Sequence, residues 1–156
     1  MGGLPLAASE CGNMALTQNE SVRDGNVGRL VALSTVGAGI SGAMGVGFGA
    51  FAAHGLASLG DPAIVEWVKT GASYQLWHAA ALLGLACLAG RLTIGLLRAV
   101  AICFFLGALL FGGSLYVLAL LHWSWVVFVT PIGGMLMLIG WALLIIGGWR
   151  HGEGSA

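Results

Sequence analysis

Four uncharged apolar runs, each about as long as a bilayer is thick, constrain this chain more than any other feature. They cover Leu30–Ala53, Thr70–Gly90, Ala99–Leu121 and Pro131–Trp149. Crossing a hydrocarbon core of ~30 Å takes about 20 helical residues. Inside that core no water pairs with the backbone, so a run of this length must satisfy its own peptide groups, as a helix does. The rest of the chain cannot offset so much apolar surface. Charged residues make up 8% of the sequence and hydrophobic ones 58%, against about 25% charged in a soluble domain. A soluble helical protein would show polar faces at helical period, and these runs show none. Lys+Arg and Asp+Glu balance at 6 each, which gives no electrostatic footprint for nucleic acid. The expected fold is therefore all-α: an integral membrane four-helix bundle with short loops, its first partner the lipid bilayer.

The flanks and connections fill in the domain plan. Residues 1–28 are polar, aperiodic and rich in Gly, Ser and Asn, and are expected to form a disordered cytoplasmic tail. They lack the basic and apolar regions of a signal peptide, and Met14 is an alternative start to Met1. The transmembrane domain covers 29–150, with spans at about 30–53, 70–90, 99–121 and 131–149, and 151–156 form a C-terminal tail. Asp61-Pro62 is a helix-start signal, an acidic cap followed by a proline at the first helical position. Ile64, Val65, Trp67 and Val68 then oppose Glu66 and Lys69, which predicts a short interfacial helix before the second span. Thr130-Pro131 repeats the start signal for the fourth. Arg23, Arg29, Arg91, Arg98 and Arg150 fall on one side and only Lys69 on the other. The excess of basic residues predicts both termini in the cytoplasm of a multi-pass plasma (inner) membrane protein. Trp67, Trp123, Trp125 and Trp149 fall at span boundaries, where tryptophans anchor.

Small residues predict how the helices pack. Gly37, Ser41, Gly45 and Gly49 recur every four residues along the first span. In lipid, close backbone approach carries helix association, so this stripe reads as an intramolecular groove or as the seam of a homo-oligomer. Ala38 falls off the stripe. Gly107, Gly112, Gly113, Gly133, Gly134 and Gly140 suggest that the later spans also pack closely. Cys11, Cys87 and Cys103 are too few and too apolar in setting for a disulfide framework, and read as small buried side chains.

These residues resemble a known family. Gly49-Ala-Phe-Ala-Ala-His54-Gly-Leu56 and Tyr74-Gln-Leu-Trp-His78 look like the motifs of the YgdD-type small membrane proteins, a domain-of-unknown-function family with a small eukaryotic transmembrane relative. Gly113-Ser114-Leu-Tyr116 resembles the third-helix motif. Thr130-Pro131-Ile-Gly133-Gly134 through Gly140-Trp141 resembles the fourth. Ala52 stands where the family commonly has Gly, a small departure. The resemblance covers roughly Arg29 to Trp149. It implies a four-helix membrane protein and no particular activity.

The polar residues inside the runs are the candidates for function. His54, Tyr74, Gln75, His78, Ser114, Tyr116 and Thr130 are all expected toward the outer leaflet, with Thr130 capping the fourth span. Ionisable groups in a span are costly and point to function by default, and His78 is expected as a neutral imidazole with one donor and one acceptor to satisfy. Tyr74, His54, Tyr116 and Thr130 are its candidate partners. One reading makes the cluster interhelical glue, worth about 0.6 kcal/mol per hydrogen bond. A second makes it a site for a small molecule or lipid headgroup. A metal site at His54 and His78 lacks a third ligand, and Ser114 has no acid behind any nearby histidine to make a triad. The expectation is therefore no catalytic residues, no metal and no cofactor. The chain reads as a structural or interaction component of a membrane assembly, with a membrane-protein partner or a second copy, and no nucleic acid. The alternative is a ligand-binding protein or transporter accessory.

Overall fold

The computed structural model describes residues 5–58 and 61–153. Among these the chain forms four α-helices: α1 Pro5–His54, α2 Pro62–Cys87, α3 Ile94–Leu121 and α4 Val129–Glu153. Two 3₁₀ turns, Leu56–Ser58 and Ser124–Phe128, fill the loops after α1 and α3. The described residues form no strand beyond a single bridge, Ala89 with Leu92, in the turn between α2 and α3. Gly90 makes that turn possible, its φ of +91° lying where a side chain would be strained.

Three stretches are long and apolar enough to cross a membrane by length and composition: Leu16–His54, Ile94–Leu121 and Ser124–Gly152. The remaining helix, α2, has the length at 26 residues, but Tyr74, Gln75 and His78 lower its apolarity. Its polar side is what the protein covers: Gln75 and His78 are buried, while Leu76, Trp77 and Leu83 are exposed. α2 packs between α1 and α3, α1 also touches α3, and α4 packs on the far side of α3 without reaching α1. The bundle is thus an open array built around α2 and α3 rather than a closed ring.

Local chemistry explains most boundaries. Asp61 caps α2 as its sequence predicts, its Oδ1 accepting from the Ala63 N–H at 2.9 Å with Pro62 at the first position. The expected interfacial helix before the second span is not separate. Ile64 to Lys69 belong to the first turns of α2, because nothing between them and Thr70 interrupts backbone pairing. α4 likewise starts at Val129, so Thr130 lies inside its first turn rather than capping it.

The largest departure is at the N-terminus. Residues 5–28, expected as a disordered tail, continue α1, which reaches 50 residues, or about 75 Å. Propagating a helix fixes one residue per hydrogen bond gained, whereas starting one fixes several. A nucleus held by the buried part of α1 can therefore extend through an indifferent sequence that has no proline after Pro5. Arg98 of α3 ties this extension down, its Nη2 donating to Asn26 Oδ1 at 2.8 Å. Helix α4 also continues past the expected boundary, to Glu153. Residues 1–4 and 154–156 of the expected tails lie outside the described residues.

Two apolar clusters form the core. One gathers Leu30, Leu82, Leu85, Leu97, Val100 and Phe104 toward the Arg98 end. The other gathers Ala52, Leu56, Val68, Tyr116 and Ala119 toward the opposite end. The small-residue stripe of α1 lies against α2. A Cβ on Gly45 would sit 2.8 Å from Leu76 Cγ and 3.0 Å from the Ala72 carbonyl. Gly37 faces Leu82 and Phe105, Gly49 faces Ala72, and Ser41 is fully buried. The stripe is an intramolecular groove. Ala38, read as off the stripe, is itself buried in the core. Cys87 is exposed and Cys103 only partly covered, contrary to their reading as buried. The side chain of Cys11 lies outside the described residues.

Candidate functional site

Between the two apolar clusters lies a polar layer, and α2 supplies its centre. Gln75 and His78 are three residues apart, so they share the side of α2 turned toward α3. Gln75 is fully buried and Tyr116 nearly so, and the Tyr116 hydroxyl donates to Gln75 Oε1 at 2.8 Å. The amide nitrogen of Gln75 points at Met44 Sδ of α1, at 4.0 Å. Phe48, one turn on from Met44, stacks on Tyr116 with ring centroids 3.8 Å apart. One buried pair thereby joins α1, α2 and α3. A second joins α3 to α4: the hydroxyls of Ser114 and Thr130 lie 2.7 Å apart, and Ser114 also donates to the Phe111 carbonyl.

His78 belongs to neither pair. It is 5% exposed, and its Nδ1 lies 2.9 Å from the backbone carbonyl of Tyr74. That contact makes Nδ1 the donor and Nε2 the acceptor. Nε2 is buried with no partner among the described residues, and the ring packs edge-on to Phe104 and Trp141. Of its expected partners only Tyr74 serves, and through its backbone. The Tyr74 ring lies parallel to the imidazole at a centroid distance of 6.4 Å and packs more closely on Phe111 and Trp77. Along α2, His78 lies nearer the Cys87 end than the Pro62 end, and it meets the middle stretches of α3 and α4. His54 closes α1, exposed and apart from the layer. Among the described residues no three His, Cys, Asp or Glu side chains gather as a metal site would require.

The seven candidates therefore divide into two hydrogen-bonded pairs, one solitary imidazole, an aromatic ring and a surface histidine. Ser114 also lines a recess of about 290 Å³ with Leu109, Leu110, Val117, Trp125 and Val129. Met44, Phe48, Phe104 and Trp141 complete the layer and were not singled out from sequence. Met44 and Phe48 flank Gly45 and Gly49 at helical spacing, and that adjacency is the signal that could have found them.

The fold and this layer define a small, all-helical membrane protein whose interior polar groups face one another across helix boundaries. Residues 48–134 match the family described as "Protein of unknown function (DUF423)". The chain is 42% identical over 120 residues to the UPF0382 inner membrane protein YgdD of Escherichia coli K12, covering 72% of this chain and 86% of that one. It is 41% identical over 111 residues to a UPF0382 membrane protein of Haemophilus influenzae, covering 71% and 89%. It is 39% identical over 108 residues to the UPF0382 membrane protein SSP2132 of Staphylococcus saprophyticus, covering 69% and 88%. No solved structure matches it. The chain belongs to the DUF423 family.

Proposed function

We propose that the protein is a structural or interaction component of a membrane assembly, not an enzyme. It crosses the inner membrane four times with both termini in the cytoplasm. The observation that carries this reading is the pairing of the interior polar groups. Gln75 meets Tyr116 and Ser114 meets Thr130, so these groups already satisfy one another. What the fold leaves available is its outer surface. Gly39, Ala43 and Gly47 recur every four residues along the outward side of α1, and all three are exposed. A Cβ on Gly39 or Gly47 would meet nothing within 4 Å. Ala43 and Gly47 line a shallow groove with Phe48 and Phe51. A small-residue stripe turned outward lets another helix approach closely, by the same physics that seats α2 on the inward stripe.

One observation favours a second reading. The buried, unpartnered Nε2 of His78 is an acceptor that a small ligand could satisfy. Native mass spectrometry with lipids retained tests both. The first reading expects the wild type to carry a stoichiometric protein partner or second copy, and Gly47→Leu to fold normally but lose it. A monomer that instead retains a small ligand, lost in His78→Gln, would establish the second reading and end the first.

A further inference from the structure

We propose that the turn between α2 and α3, together with the end of α4, forms a site for the phosphate of an anionic lipid headgroup. A recess of about 320 Å³ opens where α3 starts and α4 ends. Arg91 from the turn, Thr93 from the start of α3, and Arg150 and His151 from the last turn of α4 line its polar side. Leu96 and Ile146 line its apolar side. Among the described residues no acidic side chain lines it, and no ion pair ties up Arg91 or Arg150. Arg91 is exposed beside Gly90, whose left-handed conformation shapes the turn that presents it. Thr93 precedes the first turn of α3 but makes no capping hydrogen bond, so its hydroxyl is available as a donor.

Arg150 by itself has a plainer role, since a cation is favoured beside the carbonyl end of a helix. Arg91 has no such role, because it sits in the turn and ends no helix. Both arginines open on the same recess although they come from different elements. A planar guanidinium offers several donors suited to phosphate oxygens, and two of them with a hydroxyl make a matching set.

Depth decides between a lipid phosphate and a free one. Trp149, next to Arg150, is 70% exposed, and an exposed tryptophan at a span end marks the headgroup layer. Ile146, one turn further in and half exposed, continues the apolar wall along α4 where an acyl chain would lie. A basic recess between helix ends at this level suits anionic lipid. If the termini are cytoplasmic, as proposed above, the lipid belongs to the inner leaflet, but the binding itself does not depend on that orientation.

The test uses the full chain purified in neutral detergent, with equal amounts of dioleoyl phosphatidylglycerol and dioleoyl phosphatidylcholine added, read by native mass spectrometry. The wild type should retain phosphatidylglycerol in preference. Each basic residue near a membrane surface contributes about 1 kcal/mol, so Arg91→Gln and Arg150→Gln should each weaken retention roughly fivefold, and the double variant roughly 25-fold. Arg23→Gln, on the α1 extension, should match the wild type. Equal retention of the two lipids, or undiminished retention in the double variant, would overturn the proposal. So would displacement of phosphatidylglycerol by millimolar inorganic phosphate, which would make the ligand a free anion. Arg150 is exposed at the end of α4, so its single variant keeps the test open should the double variant fail to fold.

Discussion

The hydrogen bond from Tyr116 to Gln75 is where residue chemistry becomes architecture. An amide in lipid must find partners within the protein, and here the partner comes from the next helix. Tyr116→Phe removes the donor and leaves Gln75 Oε1 buried and unpaired. Interhelical hydrogen bonds in membranes average about 0.6 kcal/mol and reach about 1.7, so the variant should lose roughly 1 kcal/mol in a detergent unfolding titration. In a Gln75→Leu background the same change should cost little, since the orphaned acceptor is gone. Equal costs in both backgrounds would show that the bond contributes nothing. At this scale the sequence is informative about identity and poor about pairing. Gln75, His78, Ser114, Tyr116 and Thr130 stand out as polar residues in apolar runs. Which of them meet depends on how far each helix slides along its neighbour, and no single run records that. His78 is the clearest case. Two of its expected partners, Tyr116 and Thr130, pair with Gln75 and Ser114 instead.

At the scale of elements, glycine sets the distances. Among the glycines the tightest backbone approach is between α3 and α4, where a Cβ on Gly133 would lie 2.5 Å from the Phe111 backbone nitrogen and 2.8 Å from the Gly107 carbonyl. Backbone atoms cannot swing aside as a side chain can. Gly133→Ala should therefore cost about 1–3 kcal/mol, the range for overpacking. Gly134→Ala should be nearly silent, because its nearest neighbour is a Phe111 ring carbon at 4.0 Å. A thermal shift in detergent for each variant checks this, and similar losses at the two positions would contradict the packing described. Adjacent glycines look alike in a sequence; only the crossing geometry separates Gly133 from Gly134, or Gly112 from Gly113. The inward stripe on α1 was legible because it repeats every four residues. Its outward counterpart at Gly39, Ala43 and Gly47 has the same spacing, but only the packed structure shows which of the two stripes is covered.

For the whole molecule, the central proposal is that α2, the one helix not apolar enough by composition to count as a span, crosses the membrane in the middle of the array with its polar side turned to α3. Composition alone leaves α2 short of a membrane span, and its packing between α1 and α3 hides Gln75 and His78, the groups that lower its apolarity. The array also leaves α4 covered on one side only, so most of its surface is left for lipid or a partner. The most direct measurement places one cysteine at each end of α2, in a chain with Cys11, Cys87 and Cys103 replaced. Ser58→Cys lies just before α2 and Arg91→Cys just after it. In intact cells a membrane-impermeant maleimide should label Ser58→Cys at once and Arg91→Cys only after permeabilisation. Labelling of both from the same side would mean that α2 does not cross, and would contradict the account.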